Sequence, residues 1–179
     1  MRRVSIIGNT ASGKTTIGRA LAAALGVPFV ELDTLHWGPG WTEANADELI
    51  ARVSPIVASD AWVIDGMYWR KIGGLVLRRA DTVVWIDPPF VTMFLHLLGR
   101  SLGRIVRRTE LWNGNRESLR GTFFSRDSLV AFALRTRPDR RALFEEWLRR
   151  PEFAHLRLVR FRSTGDAMRW ARAQAPERS

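Results

Sequence analysis

The stretch Gly8-Asn9-Thr10-Ala11-Ser12-Gly13-Lys14-Thr15-Thr16, GNTASGKTT, lies between the apolar run RVSII at 3–7 and the amphipathic run IGRALAAALG at 17–26. Strand-like residues before it and helix-like residues after it give the pattern G-x-x-x-x-G-K-[ST] its physical meaning. The first turn of a helix carries amide hydrogens without intrahelical partners and the positive end of the helix dipole. A glycine-rich loop in front of it wraps further amides around an anion. Gly8, Asn9, Thr10, Ala11, Ser12, Gly13, Lys14, Thr15 and Thr16 are therefore expected to cradle the phosphates of a nucleoside triphosphate. Gly13 is expected to leave room for the approaching phosphate, Lys14 to place a charge near the β- and γ-phosphates, and the Thr15 hydroxyl to ligate magnesium. As an ordinary turn the segment would leave Lys14 as an unpaired charge at a positive helix end, which is destabilising.

Outward from this junction, short apolar runs alternate with longer amphipathic ones: PFVELD at 28–33, EANADELIARVSPIVAS at 43–59, WVIDG at 62–66, TVVWID at 82–87 and LRLVRF at 156–161, with a last helix from about Asp166 to Gln174. Five strands rich in Val, Ile and Leu and separated by helical runs predict an α/β domain whose parallel sheet is covered on both faces. Pro55 is expected to end or kink its helix near Ser54. Pro138 is expected to open another, DRRALFEEWLRR, with Leu143, Phe144, Trp147 and Leu148 at core spacing. Gly99, Gly103, Gly114 and Gly121 interrupt an arginine-rich run. A mobile insertion over about 99–122 is therefore expected in an otherwise single domain spanning 1–179.

The 179-residue chain, 46% hydrophobic and 26% charged, has the composition of an ordinary globular domain with one core. It has no cysteine, which excludes a disulfide framework and a thiolate metal site and is compatible with a cytoplasmic protein. No leader segment is read at its start, and no apolar run reaches the roughly 20 residues of a membrane span. The net charge of +10 is almost entirely arginine, since Lys14 and Lys71 are the only lysines. That bias fits either a solvated basic surface or polyphosphate and nucleic-acid partners.

Magnesium beside a triphosphate needs an acidic anchor, and two strands end in one, Asp65 and Asp87. Asp65 is favoured because Gly66 lets its strand stop sharply; Asp87, before Pro88-Pro89, is expected to cap the next helix. Asp33 is expected to close the second strand at the carboxyl edge of the sheet, where ligands bind in open α/β folds. There it would orient an acceptor or take a proton from its hydroxyl; a turn cap is the alternative. Trp37, Trp41, Tyr68 and Trp69 follow these strand ends and are candidates either to stack on a base or sugar or to cover core. Arg100, Arg104, Arg107 and Arg108 share one face of any helix they form. That face is either solvated or a clamp on triphosphate oxygens, with Arg116 and Arg120 less directly tied to it. His36, His96 and His155 have no metal-ligand spacing.

GNTASGKTT, LDTLHWGPGW, WVIDGMY and RRADTVVWID together resemble the adenylate-kinase-like branch of P-loop kinases, and within it the small bacterial DNA-topology-modulation proteins. The resemblance covers about residues 2–160. It implies a sheet in the order 2-3-1-4-5, an ATP site at Gly8 to Thr16, an acceptor pocket near Asp33, Asp65 as the magnesium-side acid, and a closing lid. The chain departs from adenylate kinases in reading Leu32-Asp33-Thr34 where they carry Thr-Gly-Asp. It also shifts Arg70 by one position and has His96 where an arginine lies against adenine. The expectation is an ATP- and Mg2+-dependent phosphotransferase acting on a nucleotide, a nucleoside or a hydroxylated metabolite, with Lys14, Asp33, Arg100, Arg104 and Arg108 as its catalytic groups. The alternative is a nucleic-acid-associated or regulatory ATP-binding protein.

Overall fold

The computed structural model describes residues 1–106, 112–114 and 141–175. In chain order it contains β1 (Arg3–Gly8), α1 (Lys14–Leu25), β2 (Phe29–Glu31), α2 (Leu32–His36), α3 (Ala46–Ala58), β3 (Trp62–Asp65) and α4 (Trp69–Ile72). These are followed by α5 (Leu75–Arg79), β4 (Thr82–Ile86), α6 (Phe90–Val106), α7 over 141–148, β5 (Arg157–Phe161) and α8 (Thr164–Arg172). All strand pairs are parallel, and the sheet order is β2-β3-β1-β4-β5, as the family resemblance implied.

The period-two alternation of strands divides the core between the two faces. Val4 and Ile6 of β1, Val63 of β3 and Val84 and Ile86 of β4 pack with Ile17 and Leu21 of α1 and Ala167 and Ala171 of α8. On the opposite face Trp62 and Ile64 meet Leu49, Val53 and Val57 of α3, while Ile7, Val83 and Trp85 meet Leu77, Phe144 and Trp147. Phe144 and Trp147 are thus core, as their spacing on α7 predicted, with Leu143 and Leu148 packed against the same cluster. Two helices start on side-chain caps. Asn45 and Glu48 form a reciprocal capping box at α3, and Ser163 accepts from the Asp166 amide at α8.

Several sequence expectations are corrected. The second strand ends at Glu31, and Asp33 sits in the first turn of α2 rather than on the strand. Helix α3 runs through Pro55 to Ala58. Pro55 and Ala51, whose carbonyl loses its amide partner, are both exposed residues, where a missing bond costs less than in the core, and the Ser54 hydroxyl donates to the Ile50 carbonyl at 2.7 Å. Gly99 and Gly103, read as the start of an insertion, both lie inside α6. The last helix begins at Thr164, two residues before Asp166, because Ser163 rather than the aspartate supplies the cap. Asp87 does not cap α6; it accepts from Arg160 Nη2 at 2.5 Å and Nε at 3.2 Å, and Arg160 in turn lies over the Trp85 ring at 3.8 Å. Pro138 lies outside the described residues. Among the described residues no helix is long and apolar enough to cross a membrane.

Candidate active site

Parallel pairing aligns the carboxyl ends of β1, β3 and β2, with Ile6 beside Asp65 and Glu31 beside Asp65. The loop from Gly8 to Gly13 leaves this edge and enters α1. A β-carbon on Gly8 would stand 2.6 Å from the Ile86 carbonyl oxygen and 2.7 Å from Ser12 Oγ, so only glycine fits where the loop crosses β4. Gly13 has φ 88°, a left-handed conformation that L-residues adopt at a cost. Its missing β-carbon points toward Thr164 of α8, at 3.4 Å. Glycine at 13 is therefore required by its backbone conformation.

The cradle has polar groups to spare. Gly13 gives α1 no side-chain cap, so the first-turn amides remain available to a ligand. Asn9 Oδ1 and Ser12 Oγ are buried without hydrogen-bond partners among the described residues, which is costly unless something polar completes them. Ala11, with φ 61°, stores local strain in the same loop. Thr10 is half-buried beside it and Thr16 is exposed on α1.

Behind the cradle, the Thr15 hydroxyl donates to Asp65 Oδ2 at 2.5 Å, and Lys14 Nζ lies 3.9 Å from Asp65 Oδ1. Asp65 is 2% exposed. Burial pushes its carboxyl above the usual carboxylate range, against the opposing pull of Lys14 and the Thr15 hydroxyl. A hydroxyl and a carboxylate side by side are hard oxygen ligands of the kind magnesium takes. Together with the orphaned loop atoms, they fit a magnesium–triphosphate group.

On the other side of the edge, α2 carries Asp33. Its Oδ1 accepts from the Tyr68 hydroxyl at 2.5 Å, while its other oxygen has no hydrogen-bond partner among the described residues. The Tyr68 ring lies 4.3 Å from the ring of His36, which is buried to 2% exposure and stands edge-on to Trp37 at 4.7 Å. His36 Nε2 is 3.5 Å from Glu43, and Lys71 Nζ donates to Glu43 at 2.8 Å and to the Ala44 carbonyl at 2.7 Å. Burial and then the Lys71 charge hold His36 below its ordinary value of 6.5. The Lys71 hydrogen bond lowers Glu43. Trp41, half-exposed at 38%, stands edge-on to Trp37 at 5.6 Å, and Asn113 Nδ2 donates to the Trp37 carbonyl.

Of the four aromatics flagged by the sequence, Tyr68 bonds Asp33 while Trp37 and Trp41 extend the ring cluster around His36, whereas Trp69 stacks on Trp147 at 4.4 Å and belongs to the core. Arg100 is half-buried on α6 and Arg104 lies on the last turns of the same helix. Arg107, Arg108, Arg116 and Arg120 lie outside the described residues. The sequence reading missed His36, Glu43 and Lys71 as neighbours of the site, and it gave Tyr68 a ring but no use for its hydroxyl. The only advance signal was a histidine and a tyrosine each a few residues past a strand end.

The profile of the family described as shikimate kinase (SKI) matches residues 10–37, which run from the phosphate loop to Trp37. A shikimate kinase of Nitratidesulfovibrio vulgaris is 33% identical over 137 residues, covering 66% of this chain and 70% of that protein. Among solved structures, a shikimate kinase from Acinetobacter baumannii in complex with shikimate superposes with a TM-score of 0.60 at 16% identity, over 97% of this chain and 90% of that one. A gluconokinase from Sinorhizobium meliloti does so with a TM-score of 0.54 at 19% identity, over 97% and 90%. The two structural matches speak to the fold.

Proposed function

The chain belongs to the shikimate kinase family of ATP- and Mg2+-dependent small-molecule kinases, and from that premise we propose that it phosphorylates a hydroxyl group of a small polar metabolite. The ATP phosphates would rest in the Gly8–Thr16 cradle, with magnesium on Thr15 and Asp65; bound there, the pair supplies the phosphoryl group and part of the neutralising charge. Lys14 adds a fixed cation at the β- and γ-phosphate end, and Arg100, Arg104 and Arg108 are the further candidates for charge stabilisation in transfer. The GNTASGKTT, LDTLHWGPGW, WVIDGMY and RRADTVVWID stretches also favour a place near the DNA-topology-modulation group, and the whole chain is read as one domain with an insertion over about 99–122.

The observation that carries a hydroxyl acceptor is Asp33. One of its carboxylate oxygens is tied down by Tyr68 at 2.5 Å and the other has no partner among the described residues. It also lies close enough to Asp65 for the two charges to interact. A carboxylate presented in this way can orient a hydroxyl and receive its proton as the oxygen attacks. A monophosphate acceptor is already ionised and would be repelled by it. Acceptors named in the relatives, shikimate and gluconate, are hydroxylated.

The test is an ADP-release screen with Mg-ATP against shikimate, gluconate, nucleosides, nucleoside monophosphates and other hydroxylated metabolites, with Lys14→Ala as the blank. A hydroxylated acceptor whose turnover falls with Asp33→Asn is the expected result. Turnover confined to nucleoside monophosphates and indifferent to that substitution would refute the hydroxyl reading.

A further inference from the structure

Tyr68 is the only tyrosine in the chain, and its surroundings are those of a donor, not of a stacking platform. It is half-buried at the residue that precedes α4, its hydroxyl donates to Asp33 Oδ1 at 2.5 Å, and its ring is held against His36 at 4.3 Å. His36 is in turn fixed by its own element and the next: it lies 3.5 Å from Glu43, its carbonyl accepts from the Ala44 amide at 2.8 Å, and Lys71 of α4 clamps Glu43. Tyr68 and Asp33 are 35 residues apart in sequence, so nothing local requires this contact.

We propose that Tyr68 is a positioning residue for the acceptor, its hydroxyl fixing the rotamer of Asp33 so that the second carboxylate oxygen faces the incoming hydroxyl. The inference rests on the role given to Asp33 above. A hydrogen bond to a carboxylate confers more orientation than one between neutral groups, and holding a reacting group in one geometry is a direct contribution to rate. The phenol stays protonated throughout. Burial first, then the Asp33 charge and the hydrogen bond to it, push its ionisation far above the ordinary phenol value, with Glu43 adding in the same sense and the Trp37 side chain opposing weakly. Tyr68 therefore donates to Asp33 and does not compete with it for the acceptor's proton. The charged and titratable groups facing the pair are His36 on α2, Glu43, Arg52 on α3, Lys71 on α4 and Asp65 on β3.

Two measurements test this. Because no other tyrosine contributes, alkaline titration of phenolate absorbance reports Tyr68 alone and needs no acceptor. Asp33→Asn is expected to lower the midpoint relative to the wild type, with circular dichroism marking the pH at which each protein unfolds. Coincident midpoints, in proteins still folded, would overturn the contact. The second measurement is kinetic, using Mg-ATP with whichever hydroxylated acceptor the screen identifies, or with water as acceptor if none does. Tyr68→Phe is expected to lower kcat about 10–100-fold, the loss of one hydrogen bond to a charged group, while leaving KM for ATP unchanged. Tyr68→Ala should do little worse. If Tyr68→Phe runs at the wild-type rate while Tyr68→Ala is impaired, only ring packing matters and the positioning role is lost. The reading of Asp33 itself fails separately, by full turnover in Asp33→Asn.

Discussion

The Thr15 hydroxyl and the Asp65 carboxylate, 50 residues apart in sequence, meet at 2.5 Å behind the phosphate cradle. Each comes from a terminus that the sheet brings together: the amino end of α1 and the carboxyl end of β3. Their contact sets a conflict between stability and function. Asp65 is buried and its carboxyl is pushed above the ordinary 3.8, desolvation outweighing Lys14 and Thr15. A carboxyl raised in the folded state stabilises the fold fully below its unfolded value, and that contribution is lost as pH rises through the folded value. Asp65→Asn removes the dependence. In urea titrations of the ligand-free protein it should therefore be the more stable form at neutral pH, with the difference closing in acid. The same variant should lose ADP release at any magnesium concentration the wild type can use. A variant that is less stable at neutral pH would contradict the argument.

His36 makes a second, opposite pH dependence. Its folded value is below 6.5, first through burial and second through Lys71, with Glu43 and Asp33 pulling the other way. A depressed group contributes stability above its unfolded value and loses it as pH falls through that value toward the folded one. Melting temperature should fall from pH 7 to pH 5 in the wild type and fall less in His36→Gln. Equal slopes in differential scanning calorimetry would count against a neutral buried imidazole.

Gly8 has no room for a side chain. The β-carbon of Gly8→Ala would meet the Ile86 backbone oxygen at 2.6 Å, and a strand carbonyl in a parallel ladder cannot simply swing aside. The substitution should cost about 1–3 kcal/mol in urea unfolding, and it should weaken ATP binding by calorimetry because the loop beyond it is displaced.

Trp69 and Trp41 should separate cleanly. Trp69 stacks on Trp147 and meets Phe153 edge-on at 6.0 Å, so Trp69→Ala should destabilise toward the low end of the about 3–5 kcal/mol seen for buried tryptophans. Trp41 is 38% exposed, and Trp41→Ala should cost under about 1 kcal/mol while raising KM for the acceptor. Denaturation midpoints and acceptor titrations of the two variants check both halves.

Much of this was legible before folding because it is local. The continuous apolar runs around Val4, Val63 and Val84 marked strands buried on both faces, and the glycines around Lys14 marked a phosphate turn where a strand hands over to a helix. Where the reading slipped, a competing local interaction was settled by distant atoms. Asp87 looked like a cap until Arg160 of β5 was placed beside it. Pro55 looked like an end or a kink, but it and Ala51 are exposed residues of α3, where the lost bond is inexpensive. Trp69 stayed open between a ligand platform and core because nothing near it in sequence announced Trp147.

The sequence by itself determined the alternation of strands and helices and the phosphate loop with its lysine, since each depends on contacts within a few residues along the chain. Only the tertiary structure decided that Asp33 is held by Tyr68, that His36 is buried between Tyr68, Trp37 and Glu43, and that Gly13 is required by its backbone conformation beside Thr164. Those relationships join segments whose separation along the chain carries no periodic signal; they exist because parallel pairing brings the carboxyl ends of β2 and β3 to one edge.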